Sequence, residues 1–238
     1  MVNCPDCGEE YVDLGNHWQH SPKHRPKLTQ KQIDVVTGLL MGDGWISNNS
    51  KNSSIFVEMI SPNYLQYLDN LFGCLGNGFD LINTAAESAQ HAKDNGFSPR
   101  AKTENYSDVY RWRTRSHPEF NSFNHWYSTG EKVWPEDIEL TPTVLKHWYV
   151  GDGSYRTSNR SDCISISMCN EVNNESKITK YFVNSKLPTP CNYSTYDRGH
   201  RKNFSAQWTV EDSYKLWDYM GEPLPDFEYK WPKEYRQS

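Results

Sequence analysis

Two segments with the same ending constrain the fold of this chain more than any other feature. Residues 36–44 and 145–153 are each largely apolar with helical spacing, and each ends in Gly-Asp-Gly before a polar stretch with β character. A repeated segment of this kind predicts a repeated structural unit. We therefore expect two similar lobes related by a pseudo-twofold axis, with Asp43 and Asp152 at matching helix ends.

The predicted elements follow the same order in both halves. Those of the first half are a helix from residue 28 with Thr29 as its N-cap, a hairpin, a helix from residue 62, a long polar loop over 84–105, a strand at 109–115 and a helix at 117–127. Those of the second half are a helix at 142–151, a hairpin at 154–169, a helix from Asn170 to Lys186, strands at 191–197 and 203–210, and a helix at 211–220.

The size and composition of the chain limit its class. Its 238 residues can bury one large core, or two similar lobes and a small module. No apolar run reaches the roughly 18 residues that a membrane span needs, and no secretory pattern is present. We therefore expect an intracellular, cytoplasmic protein with no membrane contact, in which the six cysteines form no disulfides.

The charge of the chain is unusual for a nucleic-acid binder. Its net charge is −5, whereas neutralisation of phosphate normally requires excess base. High salt screens an acidic surface, so a salt-loving prokaryote or its virus would be a suitable host. Arg111, Arg113 and Arg115 occupy alternate positions, and on a strand they would project from one face as a local basic stripe.

Glycines in both repeated helices indicate close helix packing. Gly38, Gly42 and Gly151 would let two backbones approach, because a glycine has no side chain to hold them apart. Asp43 and Asp152 would then be neighbours, and nearby carboxylates repel unless cations lie between them. Magnesium, or manganese, suits carboxylate and phosphate oxygens, and two such ions assist phosphodiester hydrolysis.

The same motifs resemble those of the LAGLIDADG homing endonucleases in their monomeric, two-repeat form. The resemblance covers about residues 28–233, and residues 37–44 are similar to the first family motif. A longer match, which includes the second motif, is carried by His117-Pro118, residues 130–135, residues 140–142 and residues 148–154.

The resemblance implies an α+β fold of two pseudo-symmetric αββαββα lobes with saddle-shaped antiparallel sheets. The lobes would span residues 28–130 and 131–238, after a zinc-finger-like module and linker at 1–27. It implies a site-specific endonuclease that hydrolyses both strands of a long double-stranded DNA target and serves intron or intein mobility.

The resemblance also implies the roles of individual residues. The catalytic residues would be Asp43, Asp152, Lys132 and Lys230, with the lysines stabilising charge near each scissile phosphate. The magnesium ligands would be the two aspartates, assisted by the carbonyls of Gly42 and Gly151. The concave sheet faces would contact DNA through basic residues, namely Lys51, Arg111, Arg113, Arg115, Arg156, Arg160, Arg198, Arg201 and Lys202.

Cysteines and histidines near the start of the chain have the spacing of a zinc finger. Two residues separate Cys4 from Cys7, twelve separate Cys7 from His20, and three separate His20 from His24. His17 is an alternative third ligand. The sequence therefore predicts one zinc ion on Cys4, Cys7 and two of the three histidines.

Two other functions are compatible with such a fold, because fold alone does not settle function. One is an RNA-binding maturase that assists intron splicing, with intron RNA as partner. The other is a DNA-binding regulator on an inactive nuclease scaffold. The retained acidic pair and both lysines favour cleavage by a monomer.

Overall fold

The computed structural model describes residues 1–47, 51–128, 130–158, 161–197 and 202–236. The α-helices of these ranges are α1 (Leu14–His20), α2 (Gln30–Met41), α3 (Pro62–Phe72), α4 (Ala85–Asp94), α5 (Pro142–Asp152), α6 (Glu175–Asn184) and α7 (Val210–Met220). The strands are β1 (Val2–Asn3), β2 (Glu10–Tyr11), β3 (Trp45–Ser47), β4 (Ser54–Met59), β5 (Gly76–Asn83), β6 (Val109–Thr114), β7 (Gly153–Ser158), β8 (Ser161–Ser167), β9 (Asn192–Asp197) and β10 (Lys202–Gln207).

Two four-stranded antiparallel sheets dominate the described residues. Their strand orders are β3-β4-β6-β5 and β7-β8-β10-β9, so in each sheet the fourth strand along the chain pairs with the second and the third lies at the edge. The α+β class with antiparallel sheets, predicted from the sequence, is confirmed. β1 and β2 form a separate small hairpin.

The chain divides into two compact units, each built from two segments. The first unit comprises residues 1–27 and 45–121, and therefore contains the N-terminal module and the sheet β3-β4-β6-β5. The second unit comprises residues 28–44 and 122–238, and contains the sheet β7-β8-β10-β9 together with both repeated helices, α2 and α5. The lobe boundary at residue 130 stays a prediction.

Threonine N-caps set the starts of the two repeated helices, α2 and α5. The Thr29 side chain accepts a hydrogen bond from the Gln32 amide and receives a reciprocal capping-box contact, so α2 starts at Gln30. Thr141 caps α5 in the same position, and Pro142 occupies its first turn, where a missing amide proton costs nothing. Both helix starts agree with the sequence prediction.

Aromatic side chains form the core of each unit. In the second unit, Trp134 packs edge-on against Trp148 with ring centroids 5.2 Å apart, and Phe182 lies against both Trp148 and Trp208. In the first unit, the buried Trp112 ring packs against Phe72. No helix within the described ranges is both long enough and apolar enough to cross a membrane.

Several predicted elements were wrong. The loop over 84–105 contains α4, because the Thr84 side chain and Glu87 form a capping box and small alanines give the helix a buried stripe. β5 was missed, since its glycines and register shifts hide the alternation of a strand. The helix predicted from Asn170 starts later: α6 begins at Glu175, and residues 169–171 form a short 3₁₀ turn. The helix at 117–127 is a 3₁₀ helix over Pro118–Tyr127.

Candidate functional sites

Helices α2 and α5 pack backbone to backbone within the second unit. A Cβ atom placed on Gly38 would lie 2.5 Å from the Val144 carbonyl oxygen and 2.7 Å from the Cβ of His147, so only glycine fits there. His147 fills the opposing position with a fully buried ring, and burial lowers its pKa to about 3. The close approach required by the glycine pattern is therefore present.

The backbones of α2 and α5 stay close together up to the helix ends that carry Asp43 and Asp152. A Cβ on Gly151 would lie 3.3 Å from the Gly42 Cα and 3.4 Å from Oδ2 of Asp43. Asp43 and Asp152 line one cavity of about 250 Å³. The cavity is also lined by Met41, Gly42, Lys132, Trp134, Ser167, Met168 and Cys169. The structure thus brings together the two carboxylates that the sequence paired.

Each predicted catalytic lysine holds the end of one of these helices. The ammonium of Lys132 donates to the carbonyls of Gly42 (2.7 Å) and Gly44 (2.9 Å). The buried ammonium of Lys230 donates to the carbonyls of Val150 (2.6 Å) and Gly151 (3.4 Å). The terminal carbonyls of both helices therefore accept hydrogen bonds from a cation, which also suits the negative end of a helix dipole.

The ionisable groups of this site shift one another's pKa. Burial raises the pKa of the Asp43 carboxyl even though Lys230 and Lys132 oppose the shift. Burial lowers the pKa of Lys132, and it lowers that of Lys230 to about 8, against the attraction of Asp43 and Asp152. Because the two lysines do not fully offset the desolvation of Asp43, an added cation would stabilise its ionised form.

A buried ion pair holds the segment that carries Lys132. Glu171 accepts a hydrogen bond from the Trp134 amide (2.9 Å) and from the Lys177 ammonium (3.0 Å), and both Glu171 and Lys177 are buried. The Tyr181 hydroxyl donates to the Pro135 carbonyl on the same segment. Sequence reasoning missed Glu171, since nothing local relates it to residue 132.

Changes at Glu171 and Lys177 can separate the effect of this pair on stability from its effect on the cleavage rate. Glu171→Ala leaves Lys177 buried and unpaired, so we expect a loss of about 3–5 kcal/mol in the free energy of unfolding. The double change Glu171→Leu with Lys177→Met removes both charges and should recover most of that loss. It still lacks an acceptor for the Trp134 amide, so its single-turnover cleavage rate should stay roughly tenfold or more below wild type.

Chemical denaturation and single-turnover kinetics measure the two effects separately. The matched control is Glu211→Ala, which breaks an exposed ion pair with Lys215 and should cost under about 1 kcal/mol. A double variant that cleaves at the wild-type rate would show that Glu171 stabilises the fold but does not position Lys132.

The exposed face of the sheet β3-β4-β6-β5 carries basic and aromatic side chains. Arg111 and Arg113 are exposed on β6, opposite Glu58 and Phe56, while Arg115 follows the strand and donates to the Cys74 carbonyl (3.2 Å). Arg111 is ion-paired with Glu58, so its charge is already partly neutralised. Only Arg111 and Arg113 form the predicted exposed stripe on the strand.

Aromatic rings complete this face. Trp45 and Phe56 stack with centroids 5.5 Å apart, and the Arg111 guanidinium lies 5.9 Å from the centre of the Trp45 ring. Lys51 is exposed between β3 and β4. The sequence prediction had not included the aromatic pair in this surface.

The corresponding face of the sheet β7-β8-β10-β9 is built from hydroxyl and amide groups. Ser205 lies between Ser167 and Ser194 in register, and the hydroxyls of Ser194 and Ser205 are 2.9 Å apart. Ser165 pairs with Ser154 and Gln207. The alternation of serine with isoleucine along β8 is the sequence signal for this face.

The predicted basic contacts of this sheet are only partly described. Arg156 is exposed on β7 and pairs in register with Cys163. Lys202 begins β10, but its side chain is outside the described part of the structure. Arg160, Arg198 and Arg201 also lie outside the described residues.

The N-terminal cysteines and histidines converge on one point. The ligand atoms of Cys4, Cys7, His17 and His24 all lie within 4.8 Å of one another. His17 Nε2 is 3.1 Å from His24 Nδ1 and 3.9 Å from Cys7 Sγ. His20 takes no part, since its Nδ1 bonds the Asn16 carbonyl. The atoms that converge are therefore those of Cys4, Cys7, His17 and His24.

Comparison with known proteins gives three findings. Residues 33–188 match the family described as the LAGLIDADG DNA endonuclease family. The homing endonuclease I-WcaI bound to its DNA recognition sequence shares 15% sequence identity at a TM-score of 0.67, over 97% of this chain and 98% of that chain. This likeness shows the fold. No curated protein matches the chain.

Two further solved structures are less similar. I-DmoI in complex with DNA and Mn has 13% identity and a TM-score of 0.45, over 79% of this chain and 94% of that chain. Full-length DUF199/WhiA from Thermatoga maritima has 12% identity and a TM-score of 0.48, over 82% of this chain and 57% of that chain.

Proposed function

This chain belongs to the LAGLIDADG DNA endonuclease family and is a site-specific DNA endonuclease; from that premise we propose that it hydrolyses one DNA strand near each of Asp43 and Asp152. The observation that carries the proposal is the cavity in which both carboxylates meet at the ends of α2 and α5. Since one chain supplies both carboxylates and both lysines, we propose that a monomer makes the double-strand cut.

The carboxylates suit a hard divalent cation such as magnesium or manganese. Asp43 and Asp152 would hold it, and when bound it would stabilise charge on the attacking and leaving oxygens of the phosphodiester. The raised pKa of Asp43 supports this assignment, because its desolvated carboxylate gains from an added positive charge. The carbonyls of Gly42 and Gly151, predicted as further ligands, already accept from the lysines and could take a second partner on the remaining lone pair.

Lys132 and Lys230 would act electrostatically. Each ammonium is fixed by two backbone carbonyls beside the carboxylates, so it is oriented before substrate binds. A preorganised cation of this kind stabilises the negative charge that develops on phosphate in the transition state. The pKa of about 8 for Lys230 also leaves it able to exchange a proton near neutral pH.

A library of randomised duplexes incubated with the protein tests the proposal. We expect magnesium-dependent double-strand breaks at one enriched sequence, and none when the cation is chelated. Binding to an enriched RNA without any DNA break would instead support the maturase alternative. Sedimentation of the protein with its selected DNA should give a one-to-one complex.

The arginines on β6 and the one just after it should contribute salt-dependent affinity for DNA. Changing Arg111, Arg113 and Arg115 together to alanine should weaken binding and reduce the slope of log affinity against log salt by about two, since Arg111 is already paired with Glu58. Affinity measured over a salt series gives the slope. Lys102→Ala is the matched control, because that exposed lysine pairs with Glu104 and lies outside the strands of the sheet. A slope equal to that of wild type would place these arginines away from phosphate.

The N-terminal cluster fits a structural zinc ion. Tetrahedral zinc with bonds of about 2.0–2.3 Å requires ligand atoms roughly 3.3–3.8 Å apart, close to the separations of 3.1 and 3.9 Å seen here. Burial raises the pKa of the Cys4 thiol, but hydrogen bonds from the amides of Cys7 and Asp6 and from the Cys7 side chain together outweigh it and lower the pKa, which favours the thiolate that zinc binds. We assign zinc to Cys4, Cys7, His17 and His24.

Removal of the cluster should release one zinc per chain. His17→Ala should bind far less zinc and should disorder residues 1–27, because that segment has few apolar side chains of its own. His20→Ala, with its ring turned to the Asn16 carbonyl, should keep the full zinc content. Elemental analysis of the purified variants decides the assignment: zinc lost from His20→Ala but kept by His17→Ala would restore the zinc-finger spacing with His20, and no loss in either would remove zinc from this cluster.

A further inference from the structure

A polar cleft separates the N-terminal module from the sheet inside the first unit. Its volume is about 560 Å³. One wall is α1, which contributes Asn16 and Gln19, and the other is the sheet end, which contributes Arg113, Arg115 and Asn77. The sequence had predicted a zinc module on a short linker, and it gave no indication of this shared surface.

The module is seated on the sheet by specific contacts. The Trp18 ring is buried and meets the His117 ring edge-on at 5.5 Å. A Cβ on Gly15 would lie 3.7 Å from the Ser116 carbonyl oxygen. The Arg25 side chain donates to the Trp18 carbonyl at 2.7 Å, which ties the following linker to the helix. The cleft is therefore a fixed feature of the first unit.

The helix that forms one wall is amphipathic. Leu14 and Trp18 are buried, one turn apart, and hold its inner side. Asn16 and Gln19, spaced three residues apart, are exposed and line the cleft. Their amide groups both donate and accept, which is the chemistry that reads the base edges of DNA.

The charge of the cleft favours phosphate. Arg113 and Arg115 supply guanidinium groups, and the acidic side chain in the lining, Asp13, is committed to capping α1 by accepting from the Asn16 amide at 3.2 Å. An α-helix also fits the width of the DNA major groove.

We propose that the side chains lining this cleft contact the DNA duplex beside the cleavage site. Asn16 and Gln19 contact base edges, and Arg113 and Arg115 hold the adjacent backbone. The proposal rests on the proposed function, because it extends the DNA contact of the same enzyme. It makes the zinc module part of the specificity surface, since α1 also carries the zinc ligand His17.

The test compares two changes on one helix. Full-length zinc-loaded protein carrying Asn16→Ala with Gln19→Ala is measured against a target selected by binding from long randomised duplexes. We expect affinity to fall about tenfold and base preference to relax only at the flanking base pairs. The single-turnover rate at saturating protein should stay at the wild-type value. His20→Ala, exposed on the same helix but outside the cleft, should retain wild-type affinity.

A second measurement changes the DNA in place of the protein. Substituting the flanking base pairs should weaken binding of wild-type protein and have little further effect on the double variant. Equal affinity and equal flanking preference in the double variant and wild type would overturn the proposal. A wild-type protein that protects the flank but never cuts in magnesium would contradict the proposed function while supporting the cleft as a DNA site.

Discussion

Changing either Asp43 or Asp152 to asparagine should abolish double-strand cleavage and leave most of the DNA affinity intact. Each change removes one negative charge from the cavity that both carboxylates line, and with it the proposed hold on the divalent cation. Loss of such charge stabilisation is worth several kcal/mol, so the rate should fall by at least about a thousandfold. The sheet faces that would contact DNA are untouched.

A supercoiled plasmid carrying the selected site measures this effect, because nicked and linear products separate on a gel. Asp137→Asn is the matched control: its carboxylate is exposed in the same unit and lines a different cavity. If each aspartate variant still nicks a different DNA strand slowly, the result assigns each carboxylate to the DNA strand that it cuts. Full linearisation by either variant would contradict the role of that carboxylate.

Lys132→Ala and Lys230→Ala should each slow cleavage by about two orders of magnitude, the usual cost of losing one preorganised electrostatic group. Each lysine holds its position through two backbone carbonyls, so its removal also frees a helix end beside an aspartate. Lys146→Ala is the matched control, because that lysine donates to the Glu222 carbonyl outside the catalytic cavity and also has a pKa lowered by burial. Single-turnover rates equal to wild type would remove the lysines from the mechanism.

The pH profile distinguishes a charged role for Lys230 from a basic one. If the ammonium stabilises the transition state, the wild-type rate should fall as pH rises through about 8, and the Lys230→Ala variant should lack this decline. If the neutral amine acts as a base, the wild-type rate should instead rise up to about pH 8.

Burial of the Lys230 ammonium should also make the stability of the protein rise with pH. The folded pKa of about 8 lies below the unfolded value near 10.4, so the unfolded chain binds more protons between these values. The free energy of unfolding should therefore increase from about pH 8 to pH 10, and below pH 8 the full penalty of burying the ammonium is present. Denaturation of wild type and Lys230→Ala across this range gives the difference.

Local chemistry allowed the sequence to predict helices α2 and α5. Thr29, Thr141 and Pro142 set the starts of α2 and α5 through contacts within one turn. The glycines allowed the close approach that Gly38 and Gly151 show, because a residue without a side chain leaves room for a neighbouring backbone. The placement of the two lysines came from the family resemblance, and it had no local signal.

The tertiary structure alone decided the features that depend on distant residues. The spacing of the histidines matched His20 and left His17 as an alternative, whereas in the fold the His17 ring stacks on Tyr11 of β2 and converges with His24 and the two cysteines. Glu171 supports Lys132 through the Trp134 amide, 37 positions away along the chain. The cleft between α1 and the sheet likewise joins residues 16 and 113. Sequence patterns report contacts within a turn or along a strand, whereas these three arrangements form only when separate segments pack together.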